Sequence, residues 1–113
     1  MDKHFFVGFA VSDYAVALPW YERLLGGPPA FLASETEAVW DIAEHRSIYI
    51  EQRPEHAGHA MFTLFVDDLN TWVAGIAERG LEPTRHEIHG EGVRKEVYCD
   101  PDGNEFGIGG MPQ

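Results

Sequence analysis

HAMFTLFVDD (residues 59–68) repeats the pattern of HFFVGFAVSD (residues 4–13). The offset, 59 − 4 = 55, is close to half of the 113-residue chain. Under it His4 matches His59, Phe6 matches Met61, Phe9 matches Leu64, Val11 matches Val66 and Asp13 matches Asp68. Each stretch is a run of β-branched and aromatic residues ended by an acidic group. This is how a strand gives way to a helix, because Asp and Ser accept hydrogen bonds from the free N–H groups of a first helical turn. Internal self-similarity on this scale predicts two copies of one supersecondary unit.

The residues after each acidic stop extend the match. Leu69, Trp72, Val73, Ile76 and Ala77 keep helical spacing, and Gly80 follows as a C-terminal stop. In the first copy Tyr14, Ala17, Leu18, Tyr21, Leu24 and Leu25 keep it, and Gly26-Gly27 end it. Pro19 inside this run removes one backbone donor. It either kinks a helix or marks where one begins after a loose turn. Short strand-like runs follow: 30–33, 38–43 and 47–52 in the first copy, 84–88, 93–99 and 105–108 in the second. GGPP, SETE, AEHR, HGEG and DPDGN are the turns between them, and RPEHAG (53–58) is the join. The expected organisation is βαβββ twice, an α+β fold. One domain spans 1–113, with module one at about 4–54 and module two at about 59–111.

Composition narrows the function. A net charge of −11 argues against nucleic acid and anionic membrane surfaces. No run approaches the length of a membrane helix, and the start MDKHFFVGFAV lacks the apolar core of a signal peptide. The single cysteine, Cys99, has no intrachain disulfide partner, which fits a reducing compartment. A cytoplasmic protein is expected. A core of this size is modest, so a homodimer is expected too.

The residues VSD…WYERLLGG (11–27), FVDDL (65–69), ERGLEP (78–83) and DPDGNEF (100–106) make the chain similar to the vicinal oxygen chelate superfamily. That group includes glyoxalase I, extradiol dioxygenases, and fosfomycin- and bleomycin-resistance proteins. The resemblance covers about residues 4–110. It implies two βαβββ modules whose mixed sheets curl into a cup, the glyoxalase/bleomycin-resistance fold, in a homodimer. Enzymes of the family hold a divalent metal in the cup. The family's ligand positions lie seven residues before each helix-opening Asp and three after the Asn of DPDGN. These are Phe6, Met61 and Gly107, with Tyr49 equivalent to Gly107 in module one.

Divalent metals at such sites require carboxylate oxygen or imidazole nitrogen, which these four positions do not offer. The resemblance therefore implies a member of bleomycin-resistance type, with no metal, no cofactor and no catalytic residue, which sequesters a cationic or aromatic small molecule and so serves antibiotic resistance. Ligand-binding residues expected in the cup are Phe6, Gly8, Phe31, Trp40, Tyr49, Met61, Thr63, Phe65 and Gly107. Their rings would stack on a planar or cationic ligand, and Gly107 would widen the cup. The alternative is a glyoxalase-like lyase, isomerase or dioxygenase with a shifted metal set of His4, Glu51, His59 and Glu105.

Overall fold

The structure, a computed structural model, describes residues 3–112; Met1, Asp2 and Gln113 lie outside the described residues. Module one runs β1 (Phe5–Val11), α1 (Tyr14–Leu25), β2 (Phe31–Ser34), β3 (Glu37–Ala43) and β4 (Arg46–Gln52). Module two runs β5 (Met61–Phe65), α2 (Leu69–Glu78), β6 (Arg85–Ile88), β7 (Arg94–Cys99) and β8 (Glu105–Gly110). Each module forms a four-stranded mixed sheet, ordered β1-β4-β3-β2 and β5-β8-β7-β6. The first strand is parallel to the last, and the remaining neighbours are antiparallel. The predicted repeat and the α+β fold are those observed.

The expected end signals hold for α1, whereas Asp68 at the start of α2 makes no side-chain capping bond. Asp13 caps α1 by accepting from the Ala15 and Val16 amides. Gly26 closes it with a positive φ of 91°. Pro19 does not divide the helix, which continues through it. At α2 the cap position is Arg79. Gly80, at φ 94°, follows it and directs the Leu81 amide back to the Ile76 carbonyl.

Alternation along the strands separates two faces. Phe9, Val11, Trp40, Ile48 and Ile50 of sheet one face the helices, as do Phe106 and Ile108 of sheet two, and they share one core with Tyr21, Leu24 and Ile76. The modules meet through rings: Phe9 stacks on Phe106 at 5.7 Å, and Phe62 meets Phe106 edge-on at 5.0 Å.

The DPDGN turn joins the modules as well as closing the last hairpin. Asp100 is buried and accepts from the Tyr21 hydroxyl and from the Asn104 and Asp102 amides. Asn104 donates to the Ala10 carbonyl at 2.8 Å and accepts from the Ala60 amide at 2.9 Å. Asp102 accepts from the Ser12 amide and hydroxyl. One turn thus satisfies polar groups from both modules. Burial, and then the Asp100 carboxylate, push the Tyr21 phenol far above its usual range.

Candidate binding faces

Each sheet leaves one face turned away from the helices. Strand register sets its residues. In module one Gly8 stands beside Tyr49, Tyr49 beside Val39, and Val39 beside Phe31. In module two Thr63 stands beside Gly107, Gly107 beside Val97, and Val97 beside Arg85. Phe6 and Ala10 extend the first row, and Met61 and Phe65 the second. These positions carry much exposed apolar surface: Phe6 is 53% exposed, Phe31 51%, Met61 78% and Phe65 56%. A monomer rarely leaves so many large apolar groups on two faces.

Of the residues expected in the cup, Phe6, Gly8, Phe31, Tyr49, Met61, Thr63, Phe65 and Gly107 lie on these open faces. Trp40 does not. It is 5% exposed, pairs with Ile48 on the helix side and packs on Tyr21 at 6.0 Å. Its indole N–H donates to the Gly27 carbonyl at 3.0 Å. Trp40 is a core residue because Val39, not Trp40, shares a face with Tyr49.

Neither glycine leaves an empty place. A β-carbon at Gly8 would stand 2.5 Å from Cζ of Tyr49, so the outer end of the Tyr49 ring lies over Gly8. A β-carbon at Gly107 would stand 2.6 Å from Cε of Lys95. The space at Gly107, expected to widen the cup, is filled by a lysine stem. Lys95, Arg85 and Glu87 are open-face residues that the sequence reading did not single out. The visible signal was alternation in RKEVYC (94–99), which places Lys95 on the face of Val97, opposite the last strand's glycines.

The open faces line separate hollows within one chain. One, of about 170 Å³, is bordered by Gly8, Ala10, Tyr49, Glu51 and Arg53. The other, of about 230 Å³, is bordered by Met61, Thr63, Lys95, Val97, Glu105 and Gly107. A charged cluster adjoins the second at Glu105. Arg85 donates to Glu87 at 2.6 Å and to Glu105 at 2.9 Å, and His89 meets Glu87 at 2.9 Å. The Arg85 hydrogen bond, and then His89, hold the Glu87 carboxyl below its usual range. The hydrogen bonds that it donates to Glu105 and then Glu87 hold the Arg85 guanidinium above its own.

A divalent metal does not fit the family's ligand positions here. Phe6 and Met61 offer a ring and a thioether, Tyr49 a phenol folded onto Gly8, and Gly107 no side chain beneath a lysine. The shifted set is not gathered within the chain either. His4 is bonded to Ser47 at 2.8 Å and Glu105 is held by Arg85. Among the described residues no three His, Cys, Asp or Glu side chains are placed to share a metal. Cys99 is half-buried rather than sealed in the core. No helix of the described residues is long and apolar enough to cross a membrane.

The duplicated sheets and their open faces define a protein of the paired βαβββ class. Residues 3–108 match the family described as the Glyoxalase/Bleomycin resistance protein/Dioxygenase superfamily, and the chain belongs to it. A glyoxalase/bleomycin resistance protein from Catenulispora acidiphila is 50% identical, with a TM-score of 0.94 over 98% of this chain and 100% of that one. A bleomycin-binding protein solved with bleomycin shares the fold at 18% identity, with a TM-score of 0.74 over the whole of both chains. The metallothiol transferase FosB of Bacillus licheniformis is 26% identical over 105 residues, which cover 87% of this chain and 68% of that protein.

Proposed function

We propose that the protein is a metal-independent small-molecule-binding protein that holds a planar aromatic ligand against its open faces. The observation that carries this is the exposure of Phe6, Phe31, Met61 and Phe65 on sheet faces that the core does not use. Because the two faces line separate hollows in one chain, the binding unit is a homodimer, with module one of one chain closing over module two of its partner. The bleomycin-binding relative supports sequestration without chemistry, and hence a part in antibiotic resistance. The enzymatic alternative, a lyase, isomerase or dioxygenase, lacks support from the ligand positions. The sequence allowed an aromatic or a cationic ligand, and the exposed rings suit a planar one by stacking.

A thermal-shift screen of planar natural products tests the proposal, followed by titration of each hit into wild type, Phe6→Ala and Met61→Ala. Each substitution is expected to weaken binding by about 1–3 kcal/mol. Unchanged affinity in both variants, with folding intact, would sink the proposal.

A further inference from the structure

The charges on the module-two open face are unequally partnered. Arg85 occupies both Glu87 and Glu105, and His89 adds a second contact to Glu87. Lys95 stands directly across the ladder from Glu87, where a cross-strand ion pair would ordinarily close. It does not close: among the described residues Lys95 makes no hydrogen bond and no ion pair within 4.0 Å. Glu87 is near enough only to feel its charge. The stem leans the other way, over Gly107. Its Cε lies 2.6 Å from the point where a β-carbon at 107 would stand, and Thr63 Oγ1 lies 3.1 Å from the same point. This path is open only because residue 107 is glycine. Lys95, Thr63 and Gly107 all border the hollow of about 230 Å³, together with the apolar Met61 and Val97.

We infer that the Lys95 ammonium, with the Thr63 hydroxyl beside it, anchors an anionic group of the ligand: a carboxylate, phosphonate or phosphate carried on a planar ring that rests against Met61. The inference rests on the open-face reading above and narrows its ligand to an aromatic acid. Lys95 is half-buried and outside any ion pair among the described residues, so its ammonium donors stay available to whatever enters the hollow, while Glu87 and Glu105 are each engaged by Arg85. An anion bound there gains charge-assisted hydrogen bonds, the stronger kind. The net charge of −11 opposes an approaching anion only weakly at physiological salt, because screening acts beyond about 8 Å and contact charges then decide.

The test uses naphthoate, naphthamide and naphthylmethylammonium, probes that share a ring and differ in charge. They are titrated calorimetrically into wild type, Lys95→Met and Lys95→Arg. In parallel, inorganic phosphate is titrated while the Gly107 amide is followed by NMR. Naphthoate is expected to bind wild type about tenfold more tightly than naphthamide, the scale of one charge-assisted hydrogen bond, with the cation weakest. In Lys95→Met the ratio of the two affinities should fall to about one, and Lys95→Arg should retain the preference. Phosphate should shift Gly107 in wild type and not in Lys95→Met. Equal affinities in wild type, or a preference surviving in Lys95→Met, overturn the anchor and leave the open-face reading standing. Failure of all three probes while phosphate still shifts Gly107 overturns the open-face reading and keeps the anchor. Failure of probes and phosphate together overturns both.

Discussion

Tyr21 of α1 donates its hydroxyl to Oδ2 of Asp100 over 2.7 Å, and the two residues lie 79 positions apart in the chain. Module one is thereby fastened to the last turn of module two through a buried carboxylate. Removing the phenol oxygen leaves Asp100 its bonds to Asn104 and Asp102. Tyr21→Phe is therefore expected to cost about 1–2 kcal/mol. Asp100→Ala strands several buried donors at once and should cost about 3–5 kcal/mol. Urea unfolding gives both values. Equal, small losses would show that the turn does not hold the modules together.

Two glycines should answer oppositely to a methyl group. Gly58 has φ 90°, and its β-carbon would meet the Asp102 backbone carbonyl at 2.5 Å. Gly58→Ala is expected to destabilise by about 1–3 kcal/mol. Gly107 is obstructed by the far end of a flexible lysine. Gly107→Ala should change stability by less than about 1 kcal/mol and swing Lys95 aside. Thermal unfolding of the two variants makes the comparison, and a larger loss at Gly107 would contradict the assignment.

Glu87 faces Arg85, His89 and Lys95, all of which favour its ionised form. Its carboxyl should titrate below the ordinary glutamate range when followed by NMR. A group whose folded value is lowered contributes stability above the ordinary value and loses it as pH falls through the lowered one. Arg85→Gln should raise the Glu87 midpoint and remove this part of the acid sensitivity. A midpoint at the ordinary value in wild type would mean that the Arg85 contact does not persist in solution.

Sedimentation is expected to find a species of twice 12.7 kDa. Met61→Glu, which puts a charge on the most exposed apolar position of the open face, should shift it to the monomer. A wild-type monomer at micromolar concentration would remove the closed binding unit.

Much of this architecture was readable because alternation is unambiguous where polar and apolar residues take turns. In HAMFTLFVDD, Met61, Thr63 and Phe65 were placed on one face correctly, and the repeat carried that placement to Phe6, Gly8 and Ala10. Trp40 was misplaced because Ala38, Val39 and Trp40 are apolar on both faces of β3. Pattern alone cannot then choose a register, and only the pairing of Val39 with Tyr49 decides it. The roles of Gly8 and Gly107 were half legible. Their lack of side chains is in the sequence, but the groups that cover them arrive from neighbouring strands. Tyr49 folds onto its parallel neighbour, and Lys95 reaches across β8 diagonally. The joining role of DPDGN was hidden for the same reason, since its partners Ser12, Ala10 and Tyr21 lie in the other half of the chain.

The bond from Asn104 to the Ala10 carbonyl spans 94 residues, which also bears on how the protein is made. Local pairings such as β3 with β4 can form as each segment leaves the ribosome, but the two modules cannot be locked until residue 104 has been synthesised. Until then the rings of Phe9 and Phe62 lack Phe106, which packs on both. The nascent chain exposes this surface, and its final closure is a slow, long-range step. A chain cut short before residue 104 would thus be prone to aggregate, although most of its strands could already have formed.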